Sequence, residues 1–131
     1  MEVLAHGVDI VAIDRIAQLL AAHPARFRDR VFTKAEQAYA DSGVATCAER
    51  YAVRFAAKEA ALKALGTGLR SGISWTDIEV VAGLMGQPGL ILRRTALDQA
   101  SRQGLERWLV SLSHSGGLAV ASVIAGRSGP A

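Results

Sequence analysis

The apolar positions of the chain change period several times, and each change marks an element. Residues 3–13 are rich in Val and Ile without helical spacing, which predicts a buried strand interrupted by Gly7 and Asp9. From Asp14 the period lengthens. Ile16, Leu19 and Leu20 recur at helical spacing, with Asp14 as N-cap and the helix ending before Pro24. Thr33 followed by Glu36 has the form of a capping box and predicts a short helix from Lys34 to Asp41, broken by Ser42-Gly43. Residues 46–65 contain no Gly or Pro and much Ala, Leu, Lys, Arg and Glu, so they predict the longest helix, stopped by Gly66.

Residues 74–82 alternate as a strand does, 83–89 supply a turn, and 90–92 are apolar again. Thr95 can cap a helix that reaches Gln103 and ends at Gly104. Residues 108–115 and 118–125, joined by Gly116-Gly117, predict two antiparallel strands. No repeat or linker divides the chain. Residues 1–126 are expected to form one domain, followed by a frayed tail at 127–131.

Composition sharpens this picture. Half of the 131 residues are hydrophobic but only 5% are aromatic, so the core must be built from Ala, Val, Leu and Ile. So small and apolar a chain also suits burial against copies of itself. No apolar stretch reaches the roughly 18 uncharged residues of a membrane-spanning helix, the best candidate being 117–126. Glu2 and Asp9 argue against a secretory signal, and the single Cys47 excludes an internal disulfide; a soluble protein of the reducing cytoplasm is expected. The net charge of +3 is mild. It suits an acidic protein partner or a polyphosphate ligand at least as well as nucleic acid, whose binding surfaces show denser basic clusters.

Three features carry candidate chemistry. Asp9 stands in an apolar strand, and a buried carboxylate is costly unless it is paired, hydrogen-bonded or bound to a metal. A salt bridge or a backbone contact would satisfy it as well as a metal. In Arg54-Phe55-Ala56-Ala57-Lys58-Glu59-Ala60-Ala61-Leu62-Lys63-Ala64-Leu65-Gly66 the small residues permit close approach by another element, and Glu59/Lys63 and Arg54/Lys58 form two pairs four residues apart. Taken alone, this is a solvated face with one helical ion pair. In Ser111-Leu112-Ser113-His114-Ser115-Gly116-Gly117 strand alternation turns Ser113 and His114 to opposite faces, which weakens a nucleophile-and-base reading, and no G-x-S-x-G elbow restores it. Gly66, Gly68 and Gly72 follow a helix, whereas phosphate-cradling loops precede one. Cys47 is expected to be an inert buried thiol.

Gly7-Val8-Asp9-Ile10 with Arg15-Ile16, the core Phe55-Ala56-Ala57-Lys58-Glu59-Ala60, and Val110-Ser111-Leu112-Ser113-His114-Ser115 together resemble, in order, the three signatures of the holo-acyl-carrier-protein synthases, the short single-domain 4'-phosphopantetheinyl transferases. The resemblance implies an α+β fold, an antiparallel sheet packed against a long central helix. It implies magnesium-dependent transfer of 4'-phosphopantetheine from coenzyme A to a serine of an acyl carrier protein, releasing adenosine 3',5'-bisphosphate and serving fatty acid biosynthesis. By the same resemblance Asp9 and Glu59 hold the magnesium ion and Lys63 lies near the phosphates. His114 lies beside the coenzyme, with Ser113 and Ser115 as phosphate or ribose contacts. Arg15 meets the acidic carrier protein, and Arg26, Arg28 and Arg30 add charge in the same region. A metal-bound water or a nearby carboxylate would be the base, and the family's trimers place each active site between subunits. Where many relatives have Gly-Lys/Arg-Pro, this chain has Gly86-Gln87-Pro88, which leaves one positive charge out. The alternatives are a non-enzymatic binding module for an acidic protein or nucleic acid, which leaves Asp9 and Glu59 unexplained, and a metal-dependent phosphohydrolase, which would consume coenzyme A without a carrier.

Overall fold

In a computed structural model, which describes residues 1–129, the chain runs through β1 (Glu2–Ala12), α1 (Ile13–Ala22), α2 (Pro24–Val31), α3 (Lys34–Asp41) and α4 (Cys47–Leu65). A 3-10 turn (Trp75–Asp77) leads into β2 (Ile78–Ala82), β3 (Pro88–Leu92), α5 (Arg94–Arg102), β4 (Arg107–Ser115) and β5 (Leu118–Arg127). β5 lies between β1 and β4 and is antiparallel to both, while β2 and β3 pair as a separate hairpin. The α+β class therefore holds, with the strands divided between two sheets.

α4 is the axis of the molecule. It is buried nearly all round, with β1 and β5 on one side and α1, α3 and β2 on others. Ala56, Ala57, Ala60 and Ala61 have no exposed surface and let the sheet come close. At Gly7 of β1 the approach is so tight that a Cβ would run into the Ala60 carbonyl, which is why the strand carries glycine there. Gly66 ends the helix at φ +76, its N–H donating to the Leu62 and Lys63 carbonyls. The Thr33–Glu36 capping box also forms, each residue's backbone N–H donating to the other's side chain. Gly116 and Gly117 both take positive φ, as the two-residue turn between β4 and β5 requires.

Elsewhere the structure corrects the sequence expectations. β1 is covered only on its α4 side: Val8 and Ile10 are 55% and 59% exposed, and with Leu109 and Leu118 they leave exposed apolar side chains on the outer face of the sheet, among Ser111, Ser113, Ser115 and Ser122. The unbroken Val and Ile content hid that alternation. Ala12, not Asp14, is the N-cap of α1, and Asp14 sits in the first turn, where its charge still suits the helix N-terminus. The segment after Pro24 forms α2, with Pro24 in the first turn, where a missing N–H costs nothing. Arg93 rather than Thr95 caps α5, and Arg94 adopts φ +50, held by pairing with Asp77 at 2.8 Å. The Arg54/Lys58 face is not solvated, because both residues are buried. β5 continues to Arg127, which pairs with Glu2 at 3.0 Å, and the last two residues of the expected frayed tail lie outside the described residues. Among the described residues no helix is long and apolar enough to cross a membrane.

Candidate active site

β1 and α4 bring together the two acidic residues singled out from the sequence. Asp9 lies on the α4 side of β1, its side chain 16% exposed, and Lys63 Nζ sits 3.0 Å from its Oδ1 and 2.9 Å from the Val8 carbonyl. Lys63 thus reaches across to the strand rather than to Glu59, its neighbour one turn back on α4. The carboxyl of Glu59 is pushed above its ordinary range, first by burial and then by the negative charge of Asp9, while Lys63 and Arg15 pull it back down. Two carboxylates within each other's field fit a hard divalent cation. No third His, Cys, Asp or Glu joins them among the described residues.

His114 is elsewhere. It lies near the other end of α4, 3.8 Å from Glu49, at the edge of a cavity of about 420 Å³ that is also lined by Arg50, Arg54, Ala82 and Pro88. Glu49 and Glu59 are ten residues apart on one helix, so about 15 Å of helix axis separates His114's partner from the carboxylate pair. Ser113 and Ser115 lie on the opposite face of β4 from His114 and do not line this cavity, whereas Ser111 does. Sequence reasoning missed a charged stack beside it. The ring of Tyr39 has the guanidiniums of Arg50 and Arg54 at 4.5 and 4.2 Å from its centroid. Arg54 is nearly buried, burial draws its guanidinium below its ordinary range, and its Nε has no partner among the described residues. The available signal was the spacing of Arg50 and Arg54, four apart on one helical face.

Of the basic residues expected to meet a partner, Arg15, Arg26 and Arg30 are exposed. Arg28 is half-buried and already paired within the chain. Positions 26 and 30 share one face of α2 whereas 28 points the other way, and Arg28 packs inward, 3.4 Å from Asp41 and over the Tyr51 ring. Gln87, where the family resemblance leads one to expect a cation, accepts a hydrogen bond from the Met85 N–H at 2.9 Å and closes its own turn. Cys47 is only partly buried, and its thiol is pushed above its usual range by burial and by Asp41.

Residues 5–121 match the family model of the 4'-phosphopantetheinyl transferase superfamily. The chain belongs to that superfamily. It is 48% identical over 131 residues to the holo-[acyl-carrier-protein] synthase of Anaeromyxobacter dehalogenans, covering 98% of this chain and 99% of the relative. Its fold is similar to that of the holo-[acyl-carrier-protein] synthase of Neisseria meningitidis, with TM-score 0.85, 31% identity, and 96% and 100% of the two chains covered. It is also similar to the holo-(acyl-carrier-protein) synthase of Bacillus anthracis solved in complex with CoA (3',5'-ADP), with TM-score 0.79, 34% identity, and 96% and 98% covered. Superfamily membership makes this chain a transferase, the class that the three motifs implied.

Proposed function

We propose that this chain transfers the 4'-phosphopantetheine group of coenzyme A to a serine hydroxyl of an acyl carrier protein, with Asp9 and Glu59 holding a magnesium ion. What supports this reading is that Asp9, on the α4 side of β1, is bonded by Lys63, which lies one turn from Glu59 on α4, and that the Glu59 carboxyl feels the Asp9 charge. When bound, magnesium supplies positive charge to the pyrophosphate oxygens. The serine oxygen forms a bond to the β-phosphorus, the bond from that phosphorus to the bridging oxygen breaks, and adenosine 3',5'-bisphosphate leaves with the electron pair. Lys63, on a half-exposed stem, can follow the charge that builds on the leaving phosphate. The serine proton passes to a carboxylate of this cluster or to a water beside it.

The coenzyme's remaining phosphate suits the cavity at the other end of α4, where Arg50 and Arg54 supply cationic donors and His114 adds an imidazole. One chain holds these donors and the carboxylates about 15 Å apart along the helix. A homotrimer that sets the cavity of one subunit against the carboxylates of the next would unite them, and the exposed Val8, Ile10, Leu109 and Leu118 on the outer face of the sheet support such an assembly. Arg15, Arg26 and Arg30 form the surface for the acidic carrier and speed its encounter. A cytoplasmic setting and service to fatty acid synthesis complete the reading. The test is mass spectrometry of an apo-carrier incubated with coenzyme A and magnesium. The phosphopantetheine mass gain is expected with the wild type and near loss of it with Glu59→Ala; equal modification by both would overturn the metal assignment.

A further inference from the structure

Lys63 has a choice of carboxylates, and the one it takes is informative. On a helix the default partner is the acid one turn away, here Glu59. Lys63 instead crosses to β1 and places two of its N–H donors there, on Asp9 Oδ1 at 3.0 Å and on the Val8 carbonyl at 2.9 Å. Asp9 is mostly covered, at 16%, whereas the Lys63 side chain is 55% exposed. The ammonium therefore approaches the carboxylate from the solvent side and can withdraw without opening a hole in the core.

We propose that Lys63 is a placeholder for the metal: without the cation its ammonium neutralises Asp9, and it leaves that carboxylate when the cation arrives. This rests on the magnesium reading above. Without a counter-charge, Asp9 and Glu59 would repel across the seam between β1 and α4, and Lys63 and Arg15 are the cations that oppose this repulsion at Glu59. A divalent ion on Asp9 would in turn repel an ammonium held 3.0 Å from the same carboxylate oxygen, so the two cations compete for one position. Once displaced, the long exposed side chain is free to meet the phosphates whose binding accompanies the metal. The same residue then opposes metal binding in the coenzyme-free protein and assists transfer in the loaded one.

The chain contains only three lysines, Lys34, Lys58 and Lys63, which makes the displacement directly observable. Full-length protein carrying carbon-13 at lysine Cε is titrated with Mg2+ in the absence of coenzyme A, the Lys63 resonance being assigned from Lys63→Met. The Lys63 signal should move with the titration while those of the buried Lys58 and the remote Lys34 stay in place. Asp9→Asn should shift the Lys63 signal without any metal. Mn2+ binding followed by electron paramagnetic resonance should be roughly fivefold tighter in Lys63→Met than in the wild type, the upper range for a solvent-accessible ion pair. If the ion binds while the Lys63 signal stays still, or if Lys63→Met binds Mn2+ no more tightly, the placeholder is ruled out. If neither wild type nor variant binds either ion, the metal reading of Asp9 and Glu59 fails, and the placeholder fails with it.

Discussion

Lys58 Nζ lies 2.8 Å from a carboxylate oxygen of Glu36, with neither side chain exposed to solvent. Lys58 also donates to the carbonyls of Trp75 and Ile78, and Glu36 accepts from the N–H groups of Thr33 and Val80. The pair thereby ties α4 to the start of α3 and to β2, one residue before Glu59. Removing one partner strands the other charge in the core, whereas replacing both with apolar side chains removes the desolvation penalty together with the attraction. Lys58→Met should cost on the order of 4 kcal/mol in urea unfolding, and Lys58→Met with Glu36→Leu should recover most of that. A double variant no more stable than the single would show that the pair's hydrogen bonds to the backbone, not its charges, are what the fold requires.

Gly7 faces the Ala60 carbonyl so closely that any Cβ must push β1 off α4. Both partners are backbone, so no side-chain rotation can relieve the clash. Gly7→Ala should destabilise the protein by on the order of 3 kcal/mol and, because Asp9 is two residues along the same strand, weaken metal binding beyond what partial unfolding explains. Thermal unfolding and Mn2+ affinity measured on the folded fraction check the two effects separately. Wild-type affinity in a destabilised Gly7→Ala would mean that the close contact serves packing alone.

Signals confined to a few neighbouring residues are legible in the sequence. Gly66 as a left-handed stop and Thr33 with Glu36 as a reciprocal cap are chemistry that one helical turn contains. Signals that depend on distant partners are not. Lys58 reads as a surface lysine until Glu36 and the carbonyl of Ile78 are placed around it, and the 26-28-30 arginine run reads as one basic patch until helical geometry turns Arg28 toward Asp41. Asp9 and Glu59 are legible through their motifs. Their distance from His114 is not, because it depends on which end of α4 the tip of β4 reaches.

Burial and the charge of Asp9 hold the Glu59 carboxyl above its ordinary range. An acid whose pKa is raised by folding binds its proton more readily in the native state. Its contribution to stability is fully present below the unfolded pKa and is lost as the pH rises through the folded one. In metal-free protein at neutral pH, ionised Glu59 is therefore a cost that Glu59→Gln removes. Scanning calorimetry in chelator should give Glu59→Gln a higher Tm than the wild type at about pH 7, the gap closing toward about pH 4. Saturating Mg2+ should raise the wild type more than the variant. A wild type already as stable as Glu59→Gln in chelator would mean that Lys63 and Arg15 fully offset the burial.

Ile10 is 59% exposed on the outer face of the sheet, opposite Val120 of β5 and on the same face as Val8, Leu109 and Leu118. A charge placed there does not touch the core, which lies on the other side of β1. Ile10→Glu should therefore unfold within about 0.5 kcal/mol of the wild type if both are compared as monomers. Association is another matter, because an unpaired carboxylate in an apolar interface must be desolvated without compensation. Sedimentation should show trimers for the wild type and monomers for Ile10→Glu. The monomer should also lose carrier modification, since in one chain about 15 Å of α4 keeps the cavity at His114 from the carboxylates. A monomeric Ile10→Glu with full activity would show that a single chain can use both ends of that helix, and would remove the need for an active site shared between subunits.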